Sequence, residues 1–434
     1  QDRMNLDPHA ASNVLGEARF EDKLLVTIAP TEIARNLVSL KRTARELKAL
    51  DPTRLSDRDR LSYDLLREEV QVALDGFAYP GHLMPIDSFG GVSLQVAGYG
   101  TGDQIQPLKT IRNYDNYLRR LRRLPAWNAQ AIANMREGIA TGNVVPKALI
   151  EAALPQIKSL IEPDFEKSIF SSAIKIMPTT FPKAEQLRLR RAYQQAFVRE
   201  LLPSMRTLVR FLERDYFPKC RDSAGIDSLP NGKAYYAYLV RLFTTTTLSP
   251  QEIHAIGLAE VERIRDEMKK IQAQYKFEGT LTEFLQWQDK VSIFMPFKTE
   301  AEILAAYADI NQKVLQQLPR FFGRLPKAAL EIRPVPELQR ETGSSYYVAA
   351  LPDGSRPATF YAWFRDPAKL NRSIMTSLFL HEGQPGHHFQ AAFAQEMDLP
   401  KFRKYGWAPA LGEGWALYVE TLGHDMGFYN DPNQ

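Results

Sequence analysis

Apolar residues recur every three or four positions along 30-PTEIARNLVSLKRTARELKAL-50 and 56-SDRDRLSYDLLREEVQVAL-74, with charged residues between them. Each stretch is therefore expected to be a helix with one face toward a core, the second capped by Ser56, with a break at Asp51-Pro52 between them. The same period returns at 109–142, interrupted at Pro125, and at 184–217, so the first half of the chain predicts a helical array. Between these runs, 88-SFGGVSLQVAGYGTGD-103 is rich in glycine and β-prone residues and predicts a loop or short hairpin.

The polar stretch 221-RDSAGIDSLPNG-232 is the best boundary candidate, dividing an N-terminal helical region, 1–225, from a second region, 226–434. Beyond it, 249-SPQE-252 combines a capping Ser, a Pro at the first helical position and a Glu at the third, and predicts a long amphipathic helix over 253–275. A second such box, 299-TEAE-302, predicts a helix through about Phe322. Two β-prone runs flank a Pro-Asp-Gly-Ser turn in 346-YYVAALPDGSRPATFYAWF-364 and predict a hairpin, with helical pattern resuming at Leu370. The expected fold is mostly α: a large helical body with a small β-hairpin or sheet beside one chemically unusual helix.

Composition narrows the classes. With 434 residues, 44% hydrophobic and 24% charged, the chain is long enough for two subdomains and a buried cleft. It has no apolar run approaching the roughly 18 residues of a membrane span, and none is expected. Lys and Arg number 55 against 51 Asp and Glu, a net charge of +4 over a large surface that creates no strong field for nucleic acid or anionic membranes. The single Cys220 rules out an intrachain disulfide and a cysteine-rich zinc module, so any metal must be held by His and carboxylates. The chain opens at Gln1 without a signal segment, as a mature exported protein would; a periplasmic or secreted setting is expected, with a cytoplasmic one also compatible.

The chemistry concentrates in 378-LFLHEGQPGHHFQ-390, which holds three of the seven histidines. In an ordinary HExxH helix the two His lie four apart on one face and the Glu reaches a water between them. Here His381 is six residues from His387 and seven from His388. On a straight helix seven residues rise about 10 Å, too far for two ligands of one ion. Pro385-Gly386 changes this, because Pro cannot donate to the preceding turn and Gly tolerates non-helical dihedrals, so a bulge can return either His387 or His388 to the metal. Downstream, 411-LGEGWALYVE-420 offers Glu413 as a third ligand at helical-hairpin distance, with Glu420 on the same face to orient a ligand. Glu382 is the natural general base.

These stretches, HEGQPGHHFQ and EGWALYVETLG, together with 353-DGSRPATFY-361 and 229–264, resemble the bacterial family known as domain of unknown function 885. The resemblance runs through most of the chain. It implies a gluzincin-like zinc metallopeptidase with a stretched His-Glu motif, a downstream Glu ligand, a mostly helical body and frequent export or lipidation, and it selects His387 over His388. Family members usually continue well past the EGWA helix, so the resemblance also implies a C-terminal lobe missing after 429-YNDPNQ-434.

Other residues are weighed against simpler roles. Arg356 and Tyr361 on the predicted hairpin are in sequence reach to stabilise an oxyanion, whereas Tyr347 reads as core. The Gly-rich 98-GYGTGD-103 lacks the Gly-Lys-Ser/Thr of a phosphate loop. The basic run 112-RNYDNYLRRLRRLP-125 alternates Leu and aromatic residues with Arg and reads as a solvated helix face. The expected function is zinc-dependent hydrolysis of peptide bonds, with short peptides as partners and one zinc per chain held by His381, His387 and Glu413. Glu382 would act as general base, with Tyr361 and Arg356 as helpers. The rival readings are a metallohydrolase of a non-peptide amide or ester, and a non-catalytic peptide-binding metal scaffold.

Overall fold

The computed structural model describes residues 7–88, 90–102, 105–336, 340 and 343–430. The chain forms two compact units, Gln1–Leu239 and Val240–Gln434, which divide inside a helix downstream of the polar stretch at 221–232.

In the first unit the helices are α1 (Pro8–Leu15), α2 (Pro30–Lys48), α3 (Asp57–Asp75), α4 (Gly91–Gly98), α5 (Ile111–Leu121), α6 (Leu124–Thr141), α7 (Lys147–Lys158), α8 (Ser172–Lys175), α9 (Lys183–Ala196) and α10 (Leu202–Phe211). Helix α11 (Gly232–Thr244) crosses into the second unit. Ser56 caps α3 by accepting the Asp59 N–H, and Pro125 sits in the first turn of α6, where a missing N–H costs nothing. The run 184–217 is continuous helix, with two wider π turns at Phe197–Leu201 and Leu212–Tyr216. Each shortly precedes a proline, Pro203 or Pro218, which has no N–H to close an ordinary turn.

Two apolar clusters fill this unit. Tyr114, Tyr117, Leu118 and Leu121 of α5 pack with Tyr193, Phe197 and Met205, while Trp127 and Met135 of α6 pack with Ile150, Ile157, Leu208 and Tyr216. The expected loop or hairpin at 88–103 is instead largely helical. Gly90 and Gly91 enter α4 with φ of 83° and 71°, and Val96 and Ala97 are fully buried in the first cluster, so packing overrides the β-leaning local sequence. Phe89 and Asp103 lie outside the described residues.

The basic run also departs from expectation at one position. Arg112, Arg119, Arg122 and Arg123 are exposed, but Arg120 is completely buried. Its guanidinium donates to the carbonyls of Lys23 and Phe20 at 3.0 Å each, to Ser12 Oγ at 2.7 Å and to Gln106 Oε1 at 2.8 Å. That network ties the N-terminal segment to α5.

The second unit contains α12 (Pro250–Gln274), α13 (Leu281–Gln288), α14 (Glu300–Phe321), β1 (Leu330–Pro334), β2 (Tyr346–Val348), β3 (Ala358–Ala362), α15 (Met375–Glu382), α16 (His387–Glu396), α17 (Lys401–Tyr405) and α18 (Pro409–Asp425). Both predicted capping boxes are present, Ser249 with Glu252 and Thr299 with Glu302. The predicted hairpin is the β2–β3 pair, antiparallel with Tyr347 opposite Phe360. A third strand, β1, joins β3 in parallel, giving the order β1-β3-β2 and leaving β2 at an edge. Ile303, Tyr307, Val314 and Leu318 of α14 pack on Phe360 of β3 and on Phe379 and Leu380 of α15, fixing the sheet and α15 on one core. Two short 3-10 turns precede α15, so regular helix starts at Met375, later than Leu370. Among the described residues no helix is long and apolar enough to cross a membrane.

Candidate metal centre

Helix α15 is held by its apolar residues: Met375, Phe379 and Leu380 are buried, and the helix packs against α14 and α18. It stops at Glu382. Gly383 leaves the helix with φ −96° and ψ −115°, the Gln384–Pro385 peptide bond is cis, and α16 begins at His387. Gly386 lies so close over the end of α15 that a Cβ there would collide with the carbonyl oxygens of His381 and Leu380. The motif is thus two helices joined by a tight return, and the rise expected for a straight helix does not apply. Trp415 of α18 secures the return by donating its indole N–H to the Pro385 carbonyl at 2.8 Å.

The return brings the His381 and His387 rings to 4.7 Å between centroids, nearly perpendicular. Glu413 reaches both from α18, with Oε2 at 3.4 Å from His381 Nε2 and 3.7 Å from His387 Nε2. One ligand-type atom from each of His381, His387 and Glu413 lies within 4.8 Å of the others, the one such grouping of three among the described residues. Atoms sharing a tetrahedral zinc at about 2.0–2.1 Å stand roughly 3.3 Å apart. The two Glu413 separations, 3.4 and 3.7 Å, are longer than good hydrogen bonds, and the grouping as a whole is looser than a bound zinc would set.

Around them, Glu420 Oε1 accepts from His381 Nδ1 at 2.8 Å, which leaves the Nε2 lone pair facing Glu413. The Glu420 bond raises the His381 pKa, whereas burial, aided by the charge of His381, lowers that of His387. Tyr429 donates its hydroxyl to the main-chain oxygen of Glu420 at 3.0 Å and meets Ser377 Oγ at 3.0 Å, bracing the turn that carries Glu420.

Glu382 is buried at the end of α15. Its carboxyl pKa is pushed up to about 7, first by burial and further by the charge of Glu413, against the opposing charge of His381 and the N–H of Tyr347. His388 turns away from the cluster: its Nε2 faces the Ala328 carbonyl at 3.0 Å and its Nδ1 the Tyr347 hydroxyl at 3.3 Å. Of the two candidates, His387 is the one brought to His381 and Glu413.

The two hairpin candidates are both buried. Tyr361 is buried in β3 and stacks on Tyr346 at 4.9 Å, and Arg356 is buried and donates to the Ala349 carbonyl at 3.1 Å. One further aromatic residue stands beside the cluster. Trp407 stands edge-on to His387 at 5.5 Å while remaining 58% exposed. It lies over Gly412, where any Cβ would collide with the indole. The spacing of Trp407, Gly412 and Glu413 in 406–415 carried that signal.

These elements define a mostly helical protein with a three-stranded mixed sheet and a His–His–Glu cluster. The chain belongs to the family described as "Bacterial protein of unknown function (DUF885)", which matches residues 9–434. Its fold is similar to a crystal structure described as "the putative lipoprotein from Colwellia psychrerythraea", with a TM-score of 0.90, 20% identity, and coverage of 100% of this chain and 77% of that one. No curated protein matches the chain.

Proposed function

We propose that the protein is a zinc-dependent, gluzincin-like hydrolase of peptide bonds acting on short peptides. The observation that carries this reading is the convergence of His381 Nε2, His387 Nε2 and Glu413 Oε2 beside a buried Glu382 carboxyl. Zinc, held by those three side chains, would supply Lewis-acid activation of water and of the scissile carbonyl.

Everything else falls to the chain's own groups. Glu382 would accept the proton of the attacking water and return it to the leaving amine. Glu420 would hold His381 in the tautomer that presents Nε2, and Tyr429 would hold the Glu420 turn. Trp407 and Gly412 would form one wall beside His387. Tyr361 and Arg356 are given no step. An exported setting is part of the proposal, supported by the lipoprotein description of the Colwellia structure.

The test is turnover of a short-peptide library by zinc-loaded protein, alongside Glu382→Gln. Cleavage by the parent and a rate lower by about 10²–10⁴-fold in the variant, at equal zinc content, support the reading. Zinc binding with no cleavage, and no change in the variant, would favour the metal scaffold instead.

A further inference from the structure

The continuous helix that runs from α9 through α10 carries a row of arginines on its outer side. Its inner side, with Tyr193, Phe197, Leu201, Met205 and Leu212, is buried in the first unit. Opposite them, the positions 191, 195, 199, 203, 206, 210 and 214 recur about once a turn, in step with the helix and its two wider turns, and all are exposed. Five of these seven are arginine, namely Arg191, Arg199, Arg206, Arg210 and Arg214. The other two are Gln195 and Pro203, so the row contains no acid.

None of the five has an ion-pair or hydrogen-bond partner among the described residues, whereas Arg188 and Arg190 on the same helix are held by Asp115 and Glu185 and by Glu166. Two acids of the stretch turn to other helices: Glu200 pairs with Arg122 at 3.4 Å and Glu213 with Lys158 at 2.5 Å. Asp215 follows Arg214 in sequence and is off the outward line. Arg206, Arg210 and Arg214 stand at intervals of four, where like charges repel and weaken a helix. Helix α12 is built the other way, with Arg263, Arg265, Lys269 and Lys270 each paired to an acid three residues earlier. Repulsion left standing along the row is relieved only by an anion from outside.

The span from 191 to 214 is roughly 35 Å of helix. Guanidinium groups one turn apart on a convex surface match an extended array of phosphates rather than one small anion, and each offers a planar fork to phosphate oxygens. Leu187, 48% exposed and four residues before Arg191, and Val198, 54% exposed and beside Arg199, add apolar groups that can enter a headgroup layer. The seven outward positions include no aromatic residue on which bases could stack. The net charge of +4 conceals the row, because acids elsewhere on the chain balance it.

We propose that this arginine row docks the first unit on a membrane surface rich in anionic phospholipid, with the guanidiniums on the headgroup phosphates. In the exported setting proposed above, such a surface is the extended phosphate array at hand. The metal cluster plays no part in the inference, and zinc content reports on that cluster separately.

The experiment is co-sedimentation of the full chain with vesicles of phosphatidylcholine containing about one-third phosphatidylglycerol, with phosphatidylcholine vesicles and a mixed-sequence DNA duplex alongside. Two variants are compared. Arg206→Gln/Arg210→Gln/Arg214→Gln cuts the row, and Arg263→Gln/Lys269→Gln/Lys270→Gln takes the same charge from α12. All six side chains are exposed, and thermal melts by circular dichroism check that both variants fold.

The parent is expected to bind the anionic vesicles and not the neutral ones, with affinity lower by about tenfold or more in the row variant and within about twofold in the α12 variant. Sodium chloride at about 0.5 M should release it, since the contacts are exposed and screened. A parent that does not bind anionic vesicles, or binds neutral ones equally, would overturn the proposal. So would an unaltered row variant, or equal losses in the two variants. Tighter binding to the duplex than to the vesicles at the same salt would also overturn it and assign the row to nucleic acid. If the row variant fails to fold, Arg191→Gln/Arg199→Gln decides by the same comparison.

Discussion

Two adjacent histidines, His387 and His388, have opposite environments. His387 is partly buried, with Nε2 turned to Glu413, while both nitrogens of His388 are occupied by Ala328 and Tyr347. Burial pushes the His388 pKa down to about 4, which keeps its ring neutral and able to accept from Tyr347 at neutral pH. Sequence spacing alone left the pair undecided, because it does not say how the chain bends between Gly383 and Gly386. At the same scale, Glu420 carries a sharp expectation. Glu420→Gln replaces the carboxylate that accepts from His381 Nδ1 and should weaken zinc binding by about 10–100-fold without abolishing it, as read by competition with a chelating dye. No change in affinity would show that His381 does not need that partner.

At the scale of elements, the broken helix is the decisive device. Gly386 has no room for a side chain against the end of α15, so Gly386→Ala should push α16 away from His381. The expected cost is about 1–3 kcal/mol of stability by urea denaturation, with loss of zinc binding at low metal concentration. An alanine variant of parental stability and affinity would mean that the return can be made another way.

Much of this level was legible beforehand: the capping boxes at Ser249 and Thr299, the β2–β3 hairpin and the helices at 30–48 and 57–75 all follow from local pattern. What was not legible depends on tertiary partners. Strand β1, LEIRP, is short, charged and Pro-terminated, and only its parallel pairing with β3 makes it a strand. Helix α4 reads as β-prone until Val96 and Ala97 are buried. Arg356 and Tyr361 were chosen for chemistry in sequence reach of the motif, and burial within the hairpin region is a property no linear spacing reveals.

Over the whole molecule, the two units rest on different physics. In the first, buried polar chemistry joins the apolar clusters, with Arg120 donating to Ser12, Asn13, Phe20 and Lys23 of the N-terminal segment and to Gln106. Arg120→Ala should destabilise that unit by on the order of 3–5 kcal/mol, since it leaves a cavity and unpaired buried acceptors, and differential scanning calorimetry would register it. A shift within about 0.5 kcal/mol would mean that water replaces the guanidinium fully. In the second unit, the core built on α14, β3 and α15 sets the His–His–Glu cluster in place, and the account stands on that cluster holding an ion. The direct measurement is zinc per chain by elemental analysis, on protein purified without chelator or nickel, for the parent, His387→Ala and His388→Asn. About one zinc in the parent and in His388→Asn, with loss in His387→Ala, is the predicted result. A parent that takes up no zinc when it is supplied, or a His387→Ala variant that keeps it, would contradict the account.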